Sequence, residues 1–572
     1  MREPTQVFVQ QNRTDDLLAA SPTAGRWTAA GVEIAWTAPP HIPTPTSNAS
    51  TSTTSSTSTS TASASSPSTS DASTSNASTS NTADGGTVLV TAAGGISRVA
   101  LRWEEPIPTE ALILGDAWER SYGDLQWRHL QPERYLPWYW LGHDQKTGKT
   151  FGAGVDVHPG AFCSWTVDHT GFTLWLDLRN GGGPTQLNGR QLTAAVVRRF
   201  EDAGTPWRTL HAAVEAMSTA ITPRDIGPVV GANNWYYAYG EGFDEKAVLQ
   251  DAATVVELAA GHPVKPFSVV DDGWNPGGNG SGGPWESGIS GLFDDMAETA
   301  AAVKELGARP GLWFRPLLSR EEGRWHRTGQ SDGFGRALDP TYPEVLDLLR
   351  ADLRRFKDWG FELVKHDFST YDLFGRFGPA MGARLTDDGW QFHDTTRTTA
   401  EIILDLYAEI RAAADGLVLI GCNTVGHLAA GLVDVQRTGD DTSGRDWERT
   451  RKMGVNSLAF RLPQHGRFFT VDADCVPCTP QTPWELNRQF LDLVARSGSA
   501  LFVSVDPSAR TPQTDRDLGD GIRLALSGGN AADGGIEPLD WLVNTTPTAW
   551  RAGSGTVRYA WSRPWGADPA AG

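Results

Sequence analysis

Short apolar runs alternate with amphipathic stretches along the second half of the chain. This alternation is typical of βα units that build a parallel sheet, and eight such units predict a (β/α)8 barrel. The apolar runs are residues 229–236, 266–270, 309–314, 361–364, 417–421, 432–436, 466–471 and 500–503. The amphipathic stretches are residues 246–259, 294–306, 343–359, 398–414, 447–460 and 484–496. The fifth unit is weak, because little separates Gly421 from Leu432.

The first part of the chain has a different pattern, with short β-branched and apolar segments between turn residues. Examples are residues 32–36, 87–91, 99–103 and 172–176. We predict an N-terminal β-sandwich over residues 1–222, the barrel over 223–527, and a short C-terminal β region over 528–572 with strand-like runs at 540–543 and 556–561. Residues 44–82 are almost entirely Ser, Thr and Ala, which cannot bury a core, so we expect a disordered insertion in the sandwich.

Polar and aromatic side chains follow the predicted barrel strands, where such barrels carry their catalytic groups. These residues are Asp271, Asp272, Trp274, Trp313, Arg315, Lys365, Asp367, Cys422, Asn423, Arg437, Asp440, Asp441 and Asp474. Several carboxylates at one face suit glycoside cleavage, with one acid as nucleophile and another as general acid. A magnesium or calcium site is the competing chemistry, but the interleaved indoles favour a sugar. Lys365 and Asp367 taken alone could also be a salt bridge that caps a strand.

Composition narrows the classes of function. The 572 residues have room for two or three domains, and the net charge of −19 argues against a nucleic acid or an anionic membrane as partner. No run of eighteen apolar residues predicts a membrane span, and the first residues lack the apolar core of a signal peptide. Four cysteines suit a reducing compartment, so we expect a cytoplasmic protein. The 23 tryptophans suit either sugar stacking or aromatic β-sheet cores.

Four motifs at successive strand ends resemble the melibiase-type α-galactosidases, glycoside hydrolase families 36 and 27, whose clan includes the raffinose synthases. They are Asp-Asp-Gly-Trp from Asp271, Gly-Leu-Trp-Phe-x-Pro from Gly311, Lys-x-Asp from Lys365 and Arg-x-x-Asp-Asp from Arg437. Residues 118–125 also look like an element of that family's amino-terminal sandwich. The resemblance covers residues 114–503 and implies an N-terminal β-supersandwich, a central (β/α)8 TIM barrel and a small C-terminal β domain.

The resemblance also implies roles for single residues. Asp367 would be the nucleophile of a retaining double displacement, and Asp440 the acid/base. Lys365 would bind the substrate, while Asp271 and Asp272 would accept hydrogen bonds from the sugar's O4 and O6 hydroxyls. The further substrate-side residues are Arg437 near O2, Cys422 and Asn423 facing the sugar, Trp235, Trp274 and Trp313 as pocket walls, and Arg315, Asp441 and Asp474. Asp441 would then be an acceptor away from the scissile bond, or a helix cap.

The chain also departs from the family pattern. His366 stands where these enzymes usually have a large aromatic residue, and Arg315 where many have a glutamate. The glycine-rich cysteine motif after the fifth strand is reduced to Gly-Cys-Asn-Thr-Val-Gly from Gly421. These changes leave the glycosidase interpretation intact but weaken the argument for strict galactose specificity.

The predicted function is therefore hydrolysis of terminal α-galactose from an oligosaccharide or glycoside, without a metal or an organic cofactor. A raffinose-synthase-like transglycosylase and an α-N-acetylgalactosaminidase are the near alternatives. A carbohydrate-binding protein without catalysis is the alternative from another class, and the retention of Asp367 with the acids near Asp440 argues against it. The aglycone and the formation of a homo-oligomer are left open.

Overall fold

The computed structural model describes residues 1–12, 16–37, 85–323, 325–530 and 535–566. The predicted insertion at residues 44–82 lies outside the described residues. Up to Phe200 the described residues form antiparallel β-sheets. From Val230 onward the main feature is a parallel sheet with helices.

The N-terminal region is antiparallel β-structure. Its strands are β1 Gln6–Gln10, β2 Leu18–Ala19, β3 Ser21–Thr23, β4 Arg26–Ala29, β5 Val32–Thr37, β6 Gly85–Ala92, β7 Gly95–Ile96, β8 Arg98–Glu104, β9 Ala111–Gly115, β10 Arg128–His129, β11 Leu136–Pro137, β12 Tyr139–Asp144, β13 Thr150–Val155, β14 Phe162–Asp168, β15 Gly171–Asp177, β16 Thr185–Gln186 and β17 Gln191–Phe200. They form a six-stranded sheet (β11-β14-β15-β8-β1-β2), a nine-stranded sheet (β10-β9-β12-β13-β17-β6-β5-β4-β3) and the pair β16-β7. The four strands that the sequence pattern predicted here are confirmed.

Aromatic side chains fill the space between the two large sheets. Trp103 on β8 meets Trp36 on β5 at 5.7 Å between ring centroids, and Phe172 on β15 meets Trp140 on β12 at 5.2 Å. Each pair joins one sheet to the other, because alternate residues of a strand face the same side. Many of the tryptophans therefore belong to this core rather than to a sugar site.

A helix, α1 Pro206–Met217, leads from the sandwich to the parallel sheet. The elements that follow are β18 Val230–Asn233, α2 Trp235–Ala238, α3 Glu245–Ala259, β19 Phe267–Val270, α4 Met296–Glu305, β20 Arg309–Phe314, β21 Leu318–Ser319, β22 His326–Asp332, β23 Gly335–Leu338, α5 Pro343–Asp358, β24 Leu363–His366, α6 Ser369–Phe374, α7 Gly378–Met381, α8 Thr399–Ala413, β25 Val418–Gly421, α9 Gly426–Ala429, β26 Val435–Arg437, α10 Trp447–Thr450, α11 Asn456–Arg461, β27 Thr470–Asp472, β28 Val476–Cys478, α12 Trp484–Ser497, β29 Leu501–Val505 and α13 Pro512–Leu526. The C-terminal strands are β30 Ile536–Pro538, β31 Ala549–Ala552 and β32 Gly555–Arg558.

The parallel sheet curls back on itself as a TIM-like barrel. Its order is β27-β26-β25-β24-β20-β19-β18-β29-β28, so successive strands of the chain are neighbours. A parallel bridge between Asp472 and Ala500, with the Ala500 N–H donating to the Val471 carbonyl at 2.8 Å, links β27 to the start of β29. The predicted alternation of strands and helices is confirmed, and the weak fifth unit has only the four-residue helix α9.

Some sequence predictions were wrong in detail. Strand β24 runs two residues beyond the predicted strand, because Lys365 and His366 pair with β20 and β25. The prediction ended before Lys365 because that residue is charged. The predicted helix over 447–460 is interrupted by a π-helical turn at Arg451–Val455. The predicted strand at 540–543 is a turn region, where the Asp540 carboxylate accepts backbone N–H groups from Thr548 and Ala549. The small sheet β21-β23-β22 and the strand β28 were not predicted.

No helix within the described ranges is long and apolar enough to cross a membrane. The described residues also contain no group of three or more His, Cys, Asp or Glu side chains arranged to hold a metal ion. All four cysteines are free and buried.

Candidate active site

Asp367 lies directly after β24 and is held by two donors. The Trp313 indole N–H donates to Oδ2 at 3.0 Å, and the Phe368 backbone N–H donates to Oδ1 at 2.7 Å. Burial alone would raise the pKa of Asp367, but the charges of Lys365 and Arg120 and the Trp313 hydrogen bond outweigh it, so the pKa is lowered. Asp367 is therefore an ionised, fixed carboxylate with 9% of its surface exposed.

Lys365 and Asp271 form a buried ion pair beside Asp367. Lys365 Nζ lies 2.7 Å from Asp271 Oδ2, which also accepts from the Asn233 side chain. Burial disfavours the ammonium form, yet the charge of Asp271, with smaller help from Asp367, holds the pKa of Lys365 well above its usual range. Lys365 therefore stays cationic and supplies positive charge to both acids.

Asp272 is the neutral acid of the site. Its Oδ2 accepts the Gly280 backbone N–H at 2.7 Å, whereas its buried Oδ1 has no hydrogen-bond partner among the described residues. Burial, reinforced by the charges of Asp271 and Asp367, raises the pKa of Asp272 to about 8. At neutral pH this carboxyl carries a proton that it can donate to a ligand oxygen.

Two further aspartates follow β26 and differ in how they are held. Asp440 is engaged at both oxygens, by Arg120 at 3.1 Å and by Arg449 at 2.5 Å. Asp441 is engaged among the described residues only at Oδ1, by Arg437 at 2.9 Å and Arg120 at 3.2 Å. The Asp441 side chain is 36% exposed and that of Asp440 only 11%. Asp441 therefore presents an open carboxylate oxygen, and Asp440 does not.

Asp441 also faces the charges around Asp367. Burial would raise the pKa of Asp441, but the charges of Arg437, Arg120 and Lys365 lower it to about 2. The charge of Asp441 in turn raises the pKa of Asp367, against the larger lowering effects. Asp367 and Asp441 therefore lie within electrostatic reach of the same two cations, Arg120 and Lys365.

Arg437 forms a buried ion pair with Asp474. Its Nη1 lies 2.9 Å from Asp474 Oδ1 and 3.6 Å from Cys422 Sγ. Asp474 Oδ2 accepts from the Tyr236 hydroxyl and from the Thr442 backbone N–H at 2.7 Å. Asp474 therefore supports Arg437, and both its oxygens are used in doing so.

A segment of the N-terminal sandwich completes this face of the barrel. The Ser121 N–H donates to the Thr438 carbonyl at 2.8 Å, and the Asp440 N–H donates to the Ser121 carbonyl at 2.8 Å. This parallel bridge brings Arg120 onto Asp440 and Asp441. Sequence reasoning missed Arg120, since its only signal was the family-like stretch at residues 118–125, which did not show where that stretch docks.

Three predicted site residues have contacts with other parts of the protein. The prediction that Trp274 walls the pocket is wrong: the ring is fully buried against Trp285, and its N–H donates to the Trp313 carbonyl. Asn423 donates from its side chain to buried Glu119 at 2.8 Å. Arg315 pairs with Asp372 at 2.6 Å and donates to the Gly280 carbonyl at 2.8 Å, so it secures the loop that binds Asp272.

Two other predicted residues, Trp313 and Cys422, contact charged groups of the site. Trp313 binds Asp367, and the Cys422 thiol lies beside Arg437. Burial holds the pKa of Cys422 well above its usual range, so it remains a thiol. Trp235 is half-buried at the start of α2, after β18, with its ring 5.8 Å from that of Tyr239.

No protein-family sequence model matches the chain, and no curated protein matches it. Solved structures do. The α-galactosidase TtGalA from Thermus thermophilus, in complex with p-nitrophenyl α-D-galactopyranoside, aligns with a TM-score of 0.57 and 19% identity over 83% of this chain and 97% of its own. A family 36 α-galactosidase, AgaA from Geobacillus stearothermophilus in complex with raffinose, aligns with a TM-score of 0.54 and 15% identity over 82% and 68%.

A third similar structure is the galactosidase domain of the α-galactosidase–sucrose kinase AgaSK, with a TM-score of 0.53 and 15% identity over 77% of this chain and 64% of that one. At these identities the likeness is one of fold, and the relationship that the sequence motifs predicted is confirmed at that level. The chain has the fold of the glycoside hydrolase family 36 α-galactosidases, with a TIM-like barrel and antiparallel sheets.

Proposed function

We propose that the protein hydrolyses terminal α-galactosides through a covalent glycosyl-enzyme, with retention of configuration. The observation that carries this proposal is the ionised Asp367 carboxylate, which is fixed by Trp313 and Phe368 and lies within electrostatic reach of Asp441 and its open oxygen. A nucleophile and a separate acid on one pocket are what a double displacement requires. The galactoside-binding enzymes of the same fold support galactose as the sugar.

In the first step, a carboxylate oxygen of Asp367 attacks the anomeric carbon of the substrate. The bond from that carbon to the glycosidic oxygen breaks, and its electron pair moves to the departing oxygen. That oxygen takes a proton from the general acid, so the leaving group departs as a neutral alcohol. The sugar is then an ester of Asp367.

In the second step, the deprotonated acid accepts a proton from water as the water oxygen attacks the anomeric carbon. The ester bond breaks and its electron pair returns to Asp367, which regenerates the starting carboxylate. Lys365 and the Trp313 N–H stabilise the charge that reappears on Asp367.

We assign the acid/base role to Asp441 rather than to Asp440. The family resemblance favoured Asp440, and that assignment stays a prediction. Asp440 is engaged at both oxygens by arginines, whereas Asp441 has an open oxygen, is affected by the charge of Lys365 and itself affects the pKa of Asp367. A general acid must reach the leaving oxygen, so geometry favours Asp441.

Binding of the sugar falls to the other side of the pocket. Asp271 accepts from Lys365 and Asn233 and so presents a charge-compensated acceptor. Asp272 presents an unpartnered, protonated Oδ1, which suits donation to a sugar oxygen. We infer that this pair and Trp313 hold the galactose ring, with O4 and O6 on the side of the two acids. The free cysteines fit the cytoplasmic location that the sequence predicts.

A substrate screen and one variant test this proposal. Purified protein is assayed with p-nitrophenyl α- and β-glycosides of galactose, glucose and N-acetylgalactosamine, and products from raffinose are followed to separate hydrolysis from transfer. We expect activity on the α-galactoside, and loss of more than about a thousandfold in kcat for Asp367→Asn, since the amide cannot form the ester. Turnover by Asp367→Asn above a few per cent of the wild type would show that another group is the nucleophile.

A further inference from the structure

Three aromatic side chains stand together just beyond Asp367. Phe368, Tyr371 and Phe377 form what we call the aromatic rim, and all three are only partly buried. The rings of Tyr371 and Phe377 are stacked at 4.6 Å between centroids with 26° between their planes, and Phe368 lies 6.0 Å from Phe377. Partly exposed aromatic rings in contact with one another form an apolar surface that water solvates poorly.

The rim is attached directly to the nucleophile. Phe368 follows Asp367 and donates its N–H to it, with a backbone φ of 62° that a phenylalanine rarely adopts. The Arg315 guanidinium lies 4.4 Å from the centre of the Phe368 ring, and Trp313 lies 6.3 Å away edge-on. These contacts hold the first ring in place although its backbone conformation is unfavourable.

The other end of the rim adjoins the acids of β26. The Arg120 guanidinium lies 5.8 Å from the centre of the Phe377 ring, and the same group contacts Asp440 and Asp441. The rim therefore spans from the residue after the nucleophile to the arginine that binds the acid/base. A group that leaves between Asp367 and Asp441 has this surface beside it.

Tyr371 adds a hydroxyl group to the apolar surface. Its ring stacks on Phe377 and meets Phe368 edge-on at 6.3 Å, and its hydroxyl makes no hydrogen bond within the described ranges. A phenol that is held by ring packing and has a free O–H can bind a ligand hydroxyl.

We propose that the aromatic rim is the leaving-group subsite of this protein, and that it takes a flat ring with an apolar face. This inference rests on the proposed function. Two leaving groups share that chemistry, namely an aryl group and the apolar face of a second sugar ring. The Tyr371 hydroxyl assists the sugar and not the aryl group, because only the sugar offers hydroxyl partners.

The experiment compares substrates with and without a ring in the leaving group. The substrates are α-galactosyl fluoride, whose leaving group is a single atom, p-nitrophenyl α-galactoside and raffinose. The variants are Tyr371→Ala, Phe377→Ala and Phe377→Leu, with Tyr371→Phe to remove only the hydroxyl. Trp565→Ala is the matched control, since that aromatic ring is 68% exposed in the C-terminal region.

We expect the alanine variants to lose about tenfold in kcat/KM on the two ring-bearing substrates, as loss of one aromatic contact predicts. The same variants should keep kcat/KM on the fluoride to within about twofold, because no ring interaction is lost there. Tyr371→Phe should lower kcat/KM for raffinose only. The control should leave all three values unchanged.

Other outcomes would overturn the inference. Variants that lose equally on all three substrates would show that the rim supports the sugar pocket or the fold. Variants that lose on none would show that leaving groups do not contact it. A wild-type protein inactive on every α-galactoside would instead refute the proposed function, and the subsite with it.

Discussion

The site contains the same dipeptide twice, and the second acid of each copy has its pKa shifted in the opposite direction. Asp271-Asp272 follows β19 and Asp440-Asp441 follows β26, both at the carboxyl ends of barrel strands. In the first pair, Lys365 forms an ion pair with Asp271, and burial raises the pKa of Asp272 to about 8. In the second pair, three arginines serve two acids, and the pKa of Asp441 falls to about 2.

The difference shows that the surrounding charges and burial, and not the sequence motif, decide the protonation state of an aspartate in such a pair. A pair with one cation keeps a proton at neutral pH and can both donate hydrogen bonds to ligand oxygens and accept them from ligand hydroxyls. In the cation-rich pair, Asp441 is ionised in the free site. It must gain a proton to act as the proposed general acid, so the arginines set the pH at which it can do so.

The largest expected effect separates the two members of the second pair. Asp441→Ala should lower kcat/KM for raffinose by more than about a hundredfold, but lower that for a dinitrophenyl α-galactoside by less than about tenfold, because an activated phenol departs without acid help. Azide should restore turnover of the activated substrate by attacking the glycosyl-enzyme. Steady-state kinetics with both substrates measure this.

Asp440→Ala is the partner variant in that experiment. We expect it to lose similar, smaller factors on both substrates, since Asp440 binds Arg120 and Arg449 instead of the leaving group. If Asp440→Ala alone shows leaving-group dependence and azide rescue, the two roles are exchanged.

The second prediction removes one arginine from the cation-rich pair. Arg120 lowers the pKa of Asp441 and of Asp367, so Arg120→Gln should raise both. The acid form of Asp441 would then persist to higher pH, and Asp367 would ionise at higher pH. Both limbs of the kcat/KM profile should therefore move upward, by about one pH unit.

Arg449→Gln is the matched control for Arg120→Gln. Arg449 contacts Asp440 and lies 36% exposed, whereas the pKa of Asp441 responds to Arg437, Arg120 and Lys365. The profile of this control should stay in place. A shift of equal size in both variants would mean that general electrostatics, not the Arg120 contact, sets the profile.

The smallest effect concerns stability and the cation-poor pair. The unfolded chain ionises Asp272 near its ordinary pKa, while the folded protein retains the proton up to about pH 8. Folding stability therefore falls as the pH rises between these values and is constant above them. Asp272→Asn removes this cost, so its Tm should exceed that of the wild type by about 2 °C or more at pH 8 and match it at pH 4.

Asp271→Asn should do the opposite. It would leave the Lys365 charge buried without its partner, which is strongly destabilising. Thermal melts of both variants across the pH range give the comparison. An equal loss of Tm in the two variants would show that Asp272 is not the neutral member of the pair.

The sequence predicted the barrel well because local signals agree with the fold. Strand β20 is an apolar run ahead of the turn after Phe314, and α5 carries Val345, Leu349 and Leu353 on its buried face, so period and burial coincide. The acids at the strand ends followed from that alternation, since parallel strands present their carboxyl ends at one face.

The features of the site that the sequence did not predict depend on contacts between residues far apart in the chain. Arg120 is more than three hundred residues from Asp441, and no local pattern indicates that pairing. Trp274 follows the two acids like a pocket residue, but the space behind β20 is lined by Trp285 and Phe356 and takes its ring instead. The choice between Asp440 and Asp441 likewise turns on which arginines arrive from elsewhere.

The Ser121–Gly439 bridge has a consequence for how such a protein can change over evolutionary time. Main-chain hydrogen bonds join the sandwich to the segment after β26 that carries the acid pair. The sandwich is therefore not an independent module that recombination could simply replace. A sandwich from another source would have to bring an arginine in the same register, or the barrel would inherit a misaligned acid. The Arg120 segment and the acid pair would therefore have to be inherited together.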